Sequence, residues 1–529
     1  MASASYLLKG GTIIDGSGFP MYKGDIVIAG ETIKAVGPTR YSTANRIIDV
    51  SGKYIMPGGI DITNHSDTHW TLFTAPSQES MLQQGITTII GGACGSSLAP
   101  LPNINAIRGI QKWVDVSTIN VNWRSQEEFF TELSKHGLGV NFGTFVGHGT
   151  LRRGVVGDES RQLTKEELDS MKLLLRRSLD EGAMGLSIGL ATSHGSFVPQ
   201  EELIELAKVV RDTGKIISIH MRNEGRKILT SVVEVINIAR SSNADVQIAH
   251  MKAIGRKGWE DMKKALQIIR KARKAENLSI WVDFFPYLRT GSLLYTLLPE
   301  WLREGGKEKI LETLTNKERR REVIEGITSL TLHYDHMTIA EAQKDKKSVG
   351  KTIAQLAQES GLQPEEVIVE ILIVNGLGVT IFGKTLNGKN IAMIAKEDYS
   401  MLGSDGVGEG SETKLRKGDL THPRSYGALP RFLNRAVTYG NLLSWEDAIK
   451  KCTSIPAARL GMQDSRGTLK KGYFADVVVF SPEDIKDTAT YSSPYQRPKG
   501  IDYVFVNGRL TIEKGTFTGA LAGKILRRG

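Results

Sequence analysis

The sequence predicts an α/β fold, a (β/α)8 TIM-like barrel with a small β-sandwich built from both termini, and three observations predict it. A chain of 529 residues is too long for one compact core and calls for more than one domain. Its two ends share one texture, short β-rich runs broken by glycine turns. Between them, β-type runs alternate with helical runs that stop at a glycine, the pattern of repeated βα units.

At the N-terminal end the β-type runs are Tyr6-Leu7-Leu8, Thr12-Ile13-Ile14, Asp25 to Ile28 and Ile33 to Val36. At the C-terminal end they are Ala475 to Phe480 and Tyr503 to Val506. Neither end can bury a core of its own, so 1–57 and 465–529 should pair into one sandwich, leaving 58–464 for the barrel. The barrel strands are expected at Gly58–Thr63, Ile86–Cys94, Gly139–His148, Met184–Leu190, Ile216–His220, Val246–His250, Ile280–Phe285 and Tyr399–Asp405. Helices should end at Gly85, Gly137, Gly182 and Gly214. The clearest helix runs from Thr164 to Asp180. It opens on the capping box Thr164-Lys-Glu-Glu167 and carries Leu168, Met171, Leu175 and Leu179 at core-facing spacing. The long stretch before the eighth strand, around 295–395, is charged and helical from Lys307 to Glu325 and reads as an insertion over the barrel mouth.

Composition narrows the function class. Forty per cent hydrophobic and 24% charged residues are ordinary for a soluble globular protein. The opening Met-Ala-Ser-Ala-Ser-Tyr lacks the apolar run of a signal peptide, and no run approaches the ~20 apolar residues of a membrane span, so a cytoplasmic location without membrane association is expected. Two cysteines, Cys94 and Cys452, make a disulfide framework improbable and leave a thiolate ligand available. The net charge of +10 is spread over helical segments such as Lys263-Lys264, which reads as solvated helix faces rather than a nucleic-acid footprint. Nothing in the sequence fixes an oligomeric state.

His220 and His250 close β-type runs, Ile-Ile-Ser-Ile-His and Val-Gln-Ile-Ala-His, and Cys94 closes Thr-Thr-Ile-Ile-Gly-Gly-Ala-Cys. Three strands ending in side chains suited to a borderline metal predict a Zn²⁺ site at one rim of the barrel. One thiolate and two imidazoles would leave a fourth position open, as a catalytic zinc requires.

The strand ends also carry Met56-Pro-Gly-Gly-Ile-Asp-Ile-Thr-Asn-His-Ser-Asp67, Val146-Gly-His-Gly-Thr-Leu-Arg152, His220-Met-Arg-Asn-Glu224, Ala249-His-Met-Lys252, Asp283-Phe-Phe-Pro-Tyr287, Gly403-Ser-Asp-Gly406 and His422-Pro-Arg424. In this order they resemble the amidohydrolase superfamily, in particular its D-aminoacylase branch, the N-acyl-D-amino-acid deacylases, from about Leu8 to about Gly515. The resemblance implies zinc-dependent hydrolysis of the linear amide of a small N-acyl amino acid, of the D series, with release of a carboxylate and a free amino acid. It implies a zinc held by Cys94, His220 and His250. The superfamily's first-strand His-x-His pair becomes Thr63-Asn64-His65, so a second metal held by His65 with Cys94 and Asp405 should be weak or absent. Asp405 falls where the superfamily has the aspartate that takes a proton from the attacking water and passes it to the leaving nitrogen. Lys252 and Arg424 match the residues that grip the substrate carboxylate, with Phe285 and Gly291 standing where a tyrosine and a serine are expected. Tyr287 and Ser292 are the nearby hydroxyls that could replace them. His148 fits structure and chemistry equally, and Gly406 to Gly418 reads as a mobile lid or as a plain surface loop. Two other readings stay open: a cyclic amidase of the hydantoinase or dihydroorotase kind, and a scaffold that has lost its chemistry, which Thr63 motivates.

Overall fold

The fold was taken from a computed structural model, which describes residues 5–528 apart from 40, 42, 111–113, 115, 117, 118, 158, 160, 192–197, 304, 305, 331 and 412–417. The expected loop from Gly406 to Gly418 therefore lies partly outside the described residues. No described helix is long and apolar enough to cross a membrane.

All eight expected middle strands are present and parallel to their neighbours. Gly59–Asp61, Ile86–Gly91 and Asn141–Thr144 form one sheet. Val146–Gly147, Gly185–Gly189, Ile216–His220, Asp245–Ile248, Ile280–Phe284 and Ser400–Leu402 form the other, in that order. The third expected strand is shared between the sheets, broken at Phe145, whose N–H reaches back to the Gly91 carbonyl (3.0 Å). On the far side a parallel bridge joins Asn64 to Gly406; the Asp405 N–H donates to the Thr63 carbonyl (2.9 Å) and the His65 N–H to the Gly406 carbonyl (2.8 Å). These bonds bring the ends of the first and last strands together. Strands such as Ile216–His220 are buried on both faces, which is why they read as continuous apolar runs without alternation.

The helices between strands follow their sequence signals. Lys165–Asp180 is capped by the Thr164–Glu167 box and buries Met171, Leu175 and Leu179. The four glycines expected to end helices all take positive φ. Both termini meet in one nine-stranded sheet, where Tyr54–Pro57 is the hinge strand: it pairs with Tyr6–Ile13 on one side and Val477–Phe480 on the other. The insertion has its own apolar cluster around Leu294, Leu314, Ile339 and Leu372, and a three-stranded antiparallel sheet of Thr290–Leu293, Val379–Gly383 and Met337–Ala342.

Candidate active site

The strands deliver the site residues, but most of those residues sit beyond the strand ends. His220 is the last residue of Ile216–His220 as expected. The second strand stops at Gly91, and Cys94 follows in a single helical turn, Ala93–Gly95. His250 and Asp405 likewise follow strands that end at Ile248 and Leu402. Cys94, His250 and Asp405 all have positive φ, at 54°, 35° and 53°. Such backbone is uncommon for residues with a Cβ and persists where surrounding contacts over-determine it. Those contacts are visible at Cys94. Gly92 has φ 69°, its N–H donates to Asp67 Oδ2 (2.6 Å), and Ser187 Oγ donates to its carbonyl. A Cβ on Gly92 would lie 2.1 Å from the Phe145 carbonyl oxygen. Gly92→Ala should therefore add ~1–3 kcal/mol of backbone strain on top of that overlap, lowering both the unfolding temperature and the metal content after dialysis; unchanged values of both would show that the turn tolerates a side chain.

One sulfur and two ring nitrogens, from Cys94, His220 and His250, lie within 4.8 Å of one another, and so do the donors of His65, Cys94 and Asp405. Cys94 Sγ is 3.2 Å from His250 Nε2 and 3.9 Å from His65 Nε2, and the His220 and His250 rings meet edge to face at 4.4 Å. Burial works to raise the Cys94 thiol, yet His250 and His220 outweigh it and hold Cys94 well below the ordinary thiol range. A thiolate and two imidazoles converging at this separation fit a borderline ion such as zinc.

Glu224, quoted in a motif but given no role from sequence, proves central. Its Oε1 lies 3.2 Å from His250 Nδ1 and 2.6 Å from Lys252 Nζ, and its Oε2 lies 3.7 Å from His220 Nε2. Although burial opposes ionisation, Lys252, His220 and His250 keep this carboxylate far below its usual range. With His250 Nε2 turned to the sulfur, the ring's Nδ1 lies 2.7 Å from Lys252 Nζ and 3.2 Å from Glu224 Oε1, so the Lys252–Glu224 pair as a whole orients the ring, as outer partners of a ligating histidine do. The signal in the sequence was an acid four residues after His220. Asp283 does related work: its Oδ1 accepts from the His250 N–H (2.9 Å), and its Oδ2 accepts from Thr63 Oγ1 (3.1 Å) and Gln247 Nε2 (2.5 Å). Burial pushes its carboxyl up to about 6. The threonine standing in place of a histidine is thus bonded to this aspartate.

Asp405 is clamped from two sides, by His65 Nε2 at 3.0 Å and Arg424 Nη1 at 2.5 Å. Burial would raise its carboxyl, but Arg424, His250 and His65 hold it well below the carboxylate range. The Arg424 guanidinium also lies over the Phe285 ring, 5.0 Å from its centroid. Cys94, His220, His250, His65, Asp405, Lys252 and Arg424 all line one cavity of about 660 Å³, together with Phe285, Gly291 and Ser292. Tyr287 does not. Its buried hydroxyl donates to the Pro423 carbonyl (3.3 Å) and its ring stacks under Arg431 at 4.5 Å, behind the cavity wall, whereas Ser292 is the other nearby hydroxyl and lines the cavity. His148 is buried against Glu202 (2.8 Å), part of a structural cluster with Arg152.

Parallel strands that present a metal-type donor set and a carboxylate at one rim, beside cations, define an amidohydrolase. The Amidohydrolase family matches at residues 420–512. The chain is 30% identical to the D-aminoacylase of Alcaligenes xylosoxydans xylosoxydans over 99% of its own length and 97% of the relative's. It is also 30% identical to the N-acyl-D-aspartate deacylase of that organism, over 100% and 96%. Among solved structures, the N-acyl-D-glutamate deacylase of Bordetella bronchiseptica, complexed with zinc and a phosphonate mimic of the tetrahedral intermediate, superposes with a TM-score of 0.83 at 26% identity, over 99% of this chain and 100% of that one. The chain belongs to the D-aminoacylase branch of the amidohydrolases, the N-acyl-D-amino-acid deacylases.

Proposed function

We infer that the chain is a zinc-dependent hydrolase that cleaves the linear amide of N-acyl-D-amino acids, releasing a carboxylate and a free amino acid. The observation that carries this reading is the convergence of Cys94, His220 and His250 with Asp405 and Arg424 on one cavity. Turnover of matched N-acyl-D- and N-acyl-L-amino acids, with zinc content measured on the same samples, tests it; a zinc-loaded protein inert on every D substrate would overturn it. Two parallel sheets meeting at Phe145 and at Asn64–Gly406 support a closed (β/α)8 barrel over 58–464 with an insertion around 295–395. The shared terminal sheet supports one small β unit built from 1–57 and 465–529, the part of the sandwich expectation that its topology carries. Free Cys94 and Cys452 support a reducing compartment such as the cytoplasm.

Cys94, His220 and His250 would hold the zinc, which when bound would supply Lewis acidity for the attack of water on the amide carbonyl. The Lys252–Glu224 pair keeps the His250 ring turned to the site, and Asp405, ionised and buried, accepts the water's proton and returns it to the leaving nitrogen. We expect one tight zinc per chain. Thr63 is committed to Asp283, and both Asp405 oxygens have partners, which leaves a second ion on His65 with a poor donor set.

Arg424 and Lys252 hold the substrate's α-carboxylate. Gly291 leaves space there, since a Cβ would meet Arg424 Nη2 and His422 Cδ2 only at 3.6 Å. Losing a charge-assisted hydrogen bond costs ~1.5–3 kcal/mol, so Arg424→Met and Lys252→Met should each lower kcat/KM roughly tenfold to hundredfold. Wild-type enzyme should discriminate strongly against substrates whose carboxylate is converted to an amide, and the variants should not. Equal discrimination in all three would remove both residues from carboxylate recognition.

A further inference from the structure

The ring of His422 fixes the backbone from which Arg424 reaches into the cavity. Both its nitrogens are engaged: Nδ1 accepts from the Arg424 N–H (3.1 Å), so Nε2 carries the proton and donates to the Arg289 carbonyl (3.1 Å). Burial and the Arg424 charge hold the imidazole well below the usual histidine range, which keeps Nδ1 an acceptor. The ring thus takes up an N–H in the first turn of the helix Arg424–Leu433, where the helix supplies no partner of its own. Arg424 depends on this anchor. Its Nη1 meets Asp405, whereas its Nε is buried with no hydrogen-bond partner among the described residues.

The rings that hold His422 come from three parts of the chain. Tyr287, after the seventh barrel strand, lies at 5.3 Å, Phe382 of the insertion at 5.3 Å and Tyr491 at 5.2 Å, all edge to face. Tyr491 belongs to neither barrel nor insertion. It sits in the segment between Val477–Phe480 and Ile501–Val506, two strands of the terminal sheet. Arg289 ties ring to ring, since its carbonyl takes the His422 proton and its guanidinium lies over Tyr491, 4.7 Å from the centroid. The segment is pinned on both sides of Tyr491: Asp487 accepts from Arg431 of the site helix (2.8 Å), and the Tyr495 hydroxyl donates to the Asp419 carbonyl (2.9 Å). His422 and Phe382 line the cavity, and Tyr491 stands outside that lining.

We propose that Tyr491 is a positioning residue for carboxylate recognition: through His422 it sets where Arg424 stands, so that a segment of the terminal β unit tunes a site in the barrel. The inference rests on the reading of Arg424 as a holder of the substrate's α-carboxylate. An edge-to-face ring pair contributes beyond the area it buries, and without Tyr491 the imidazole is free to tilt and loosen its hold on the Arg424 N–H.

Tyr491→Leu removes the flat ring and keeps apolar bulk. On the zinc-loaded protein with N-acetyl-D-leucine it should raise KM by roughly twofold to tenfold, the worth of one such ring contact. The preference for this acid over N-acetyl-D-leucinamide should fall by a similar factor at unchanged zinc content, with the unfolding temperature as the control for folding. Tyr491→Phe should restore both values. In an Arg424→Met background Tyr491→Leu should add nothing, because the residue through which it acts is gone. Unchanged KM and preference in Tyr491→Leu, a wild type without preference for the acid, or an equal further loss in the Arg424→Met background overturns the proposal. If Tyr491→Leu does not fold, Tyr491→Met, which refills the volume with a flexible chain, is read by the same criteria. A wild type that hydrolyses no N-acyl-D-amino acid defeats the deacylase reading alone, and thermal stabilisation then decides. Greater stabilisation by N-acetyl-D-leucine than by its amide, lost in both Tyr491→Leu and Arg424→Met, supports the role of Tyr491; equal stabilisation of the wild type by both, or a difference that survives in Tyr491→Leu, overturns it.

Discussion

Replacing Asp405 with asparagine is expected to lower kcat by at least ~10²-fold, the low end of what a positioned acid–base group contributes, while zinc stays bound. The two halves of this expectation have separate causes. Cys94, His220 and His250 form their donor triad without Asp405, so the tight ion does not depend on it. The proton transfer does. Asp405 is kept ionised by Arg424 at 2.5 Å and His65 at 3.0 Å, and an asparagine of the same shape can keep one hydrogen-bond acceptor there but cannot take a proton. The side chain is buried, so bulk water is a poor replacement for it. Steady-state kinetics on protein of known zinc content check the prediction; near-normal turnover at full occupancy would assign the base elsewhere.

Cys94→Ala should have the larger effect on metal. Cys94 belongs to both donor triads, so one substitution leaves His220 with His250 on one side and His65 with Asp405 on the other. Loss of an outer partner of a metal site typically costs 10–100-fold in affinity, and loss of a charged ligand should exceed ~10²-fold. The substitution leaves the backbone strain in place, because alanine also carries a Cβ at φ 54°. Elemental analysis after dialysis against a weak chelator is the measurement. Retention of one zinc by Cys94→Ala would mean that the thiolate is not a ligand, and activity that returns only at high added zinc would fit weakened binding.

Much of this protein is legible along the chain because the signals are local. The capping box at Thr164, the helix-ending glycines and the apolar runs of the parallel strands each act over a few residues, and each appears where it was expected. His220 was legible for the same reason, as the last residue of its strand. Cys94, His250 and Asp405 were assigned to strand ends, yet each lies past the strand in left-handed backbone. That conformation is set by contacts from other strands, such as Asp67 on the Gly92 N–H and Asp283 on the His250 N–H, which no local pattern announces. Tyr287 shows the same dependence on distant contacts. Two residues from Phe285 along an irregular segment, it turned toward Pro423 and Arg431 instead of the cavity, a choice made by the packing of the helix Arg424–Leu433 against it.

By itself, then, the sequence determined which donor types stand near the ends of parallel strands, the order of those strands, and the substitution at Thr63. The tertiary structure decided the pairings: Glu224 with both Lys252 and His250, Thr63 with Asp283, and Asp405 with Arg424. The physical reason is range. Propensity and periodicity act between residues close in sequence, whereas a hydrogen bond or ion pair across the cavity depends on which strand ends face one another. The sequence separation of 220 from Thr63 to Asp283 is bridged only once the sheets have assembled.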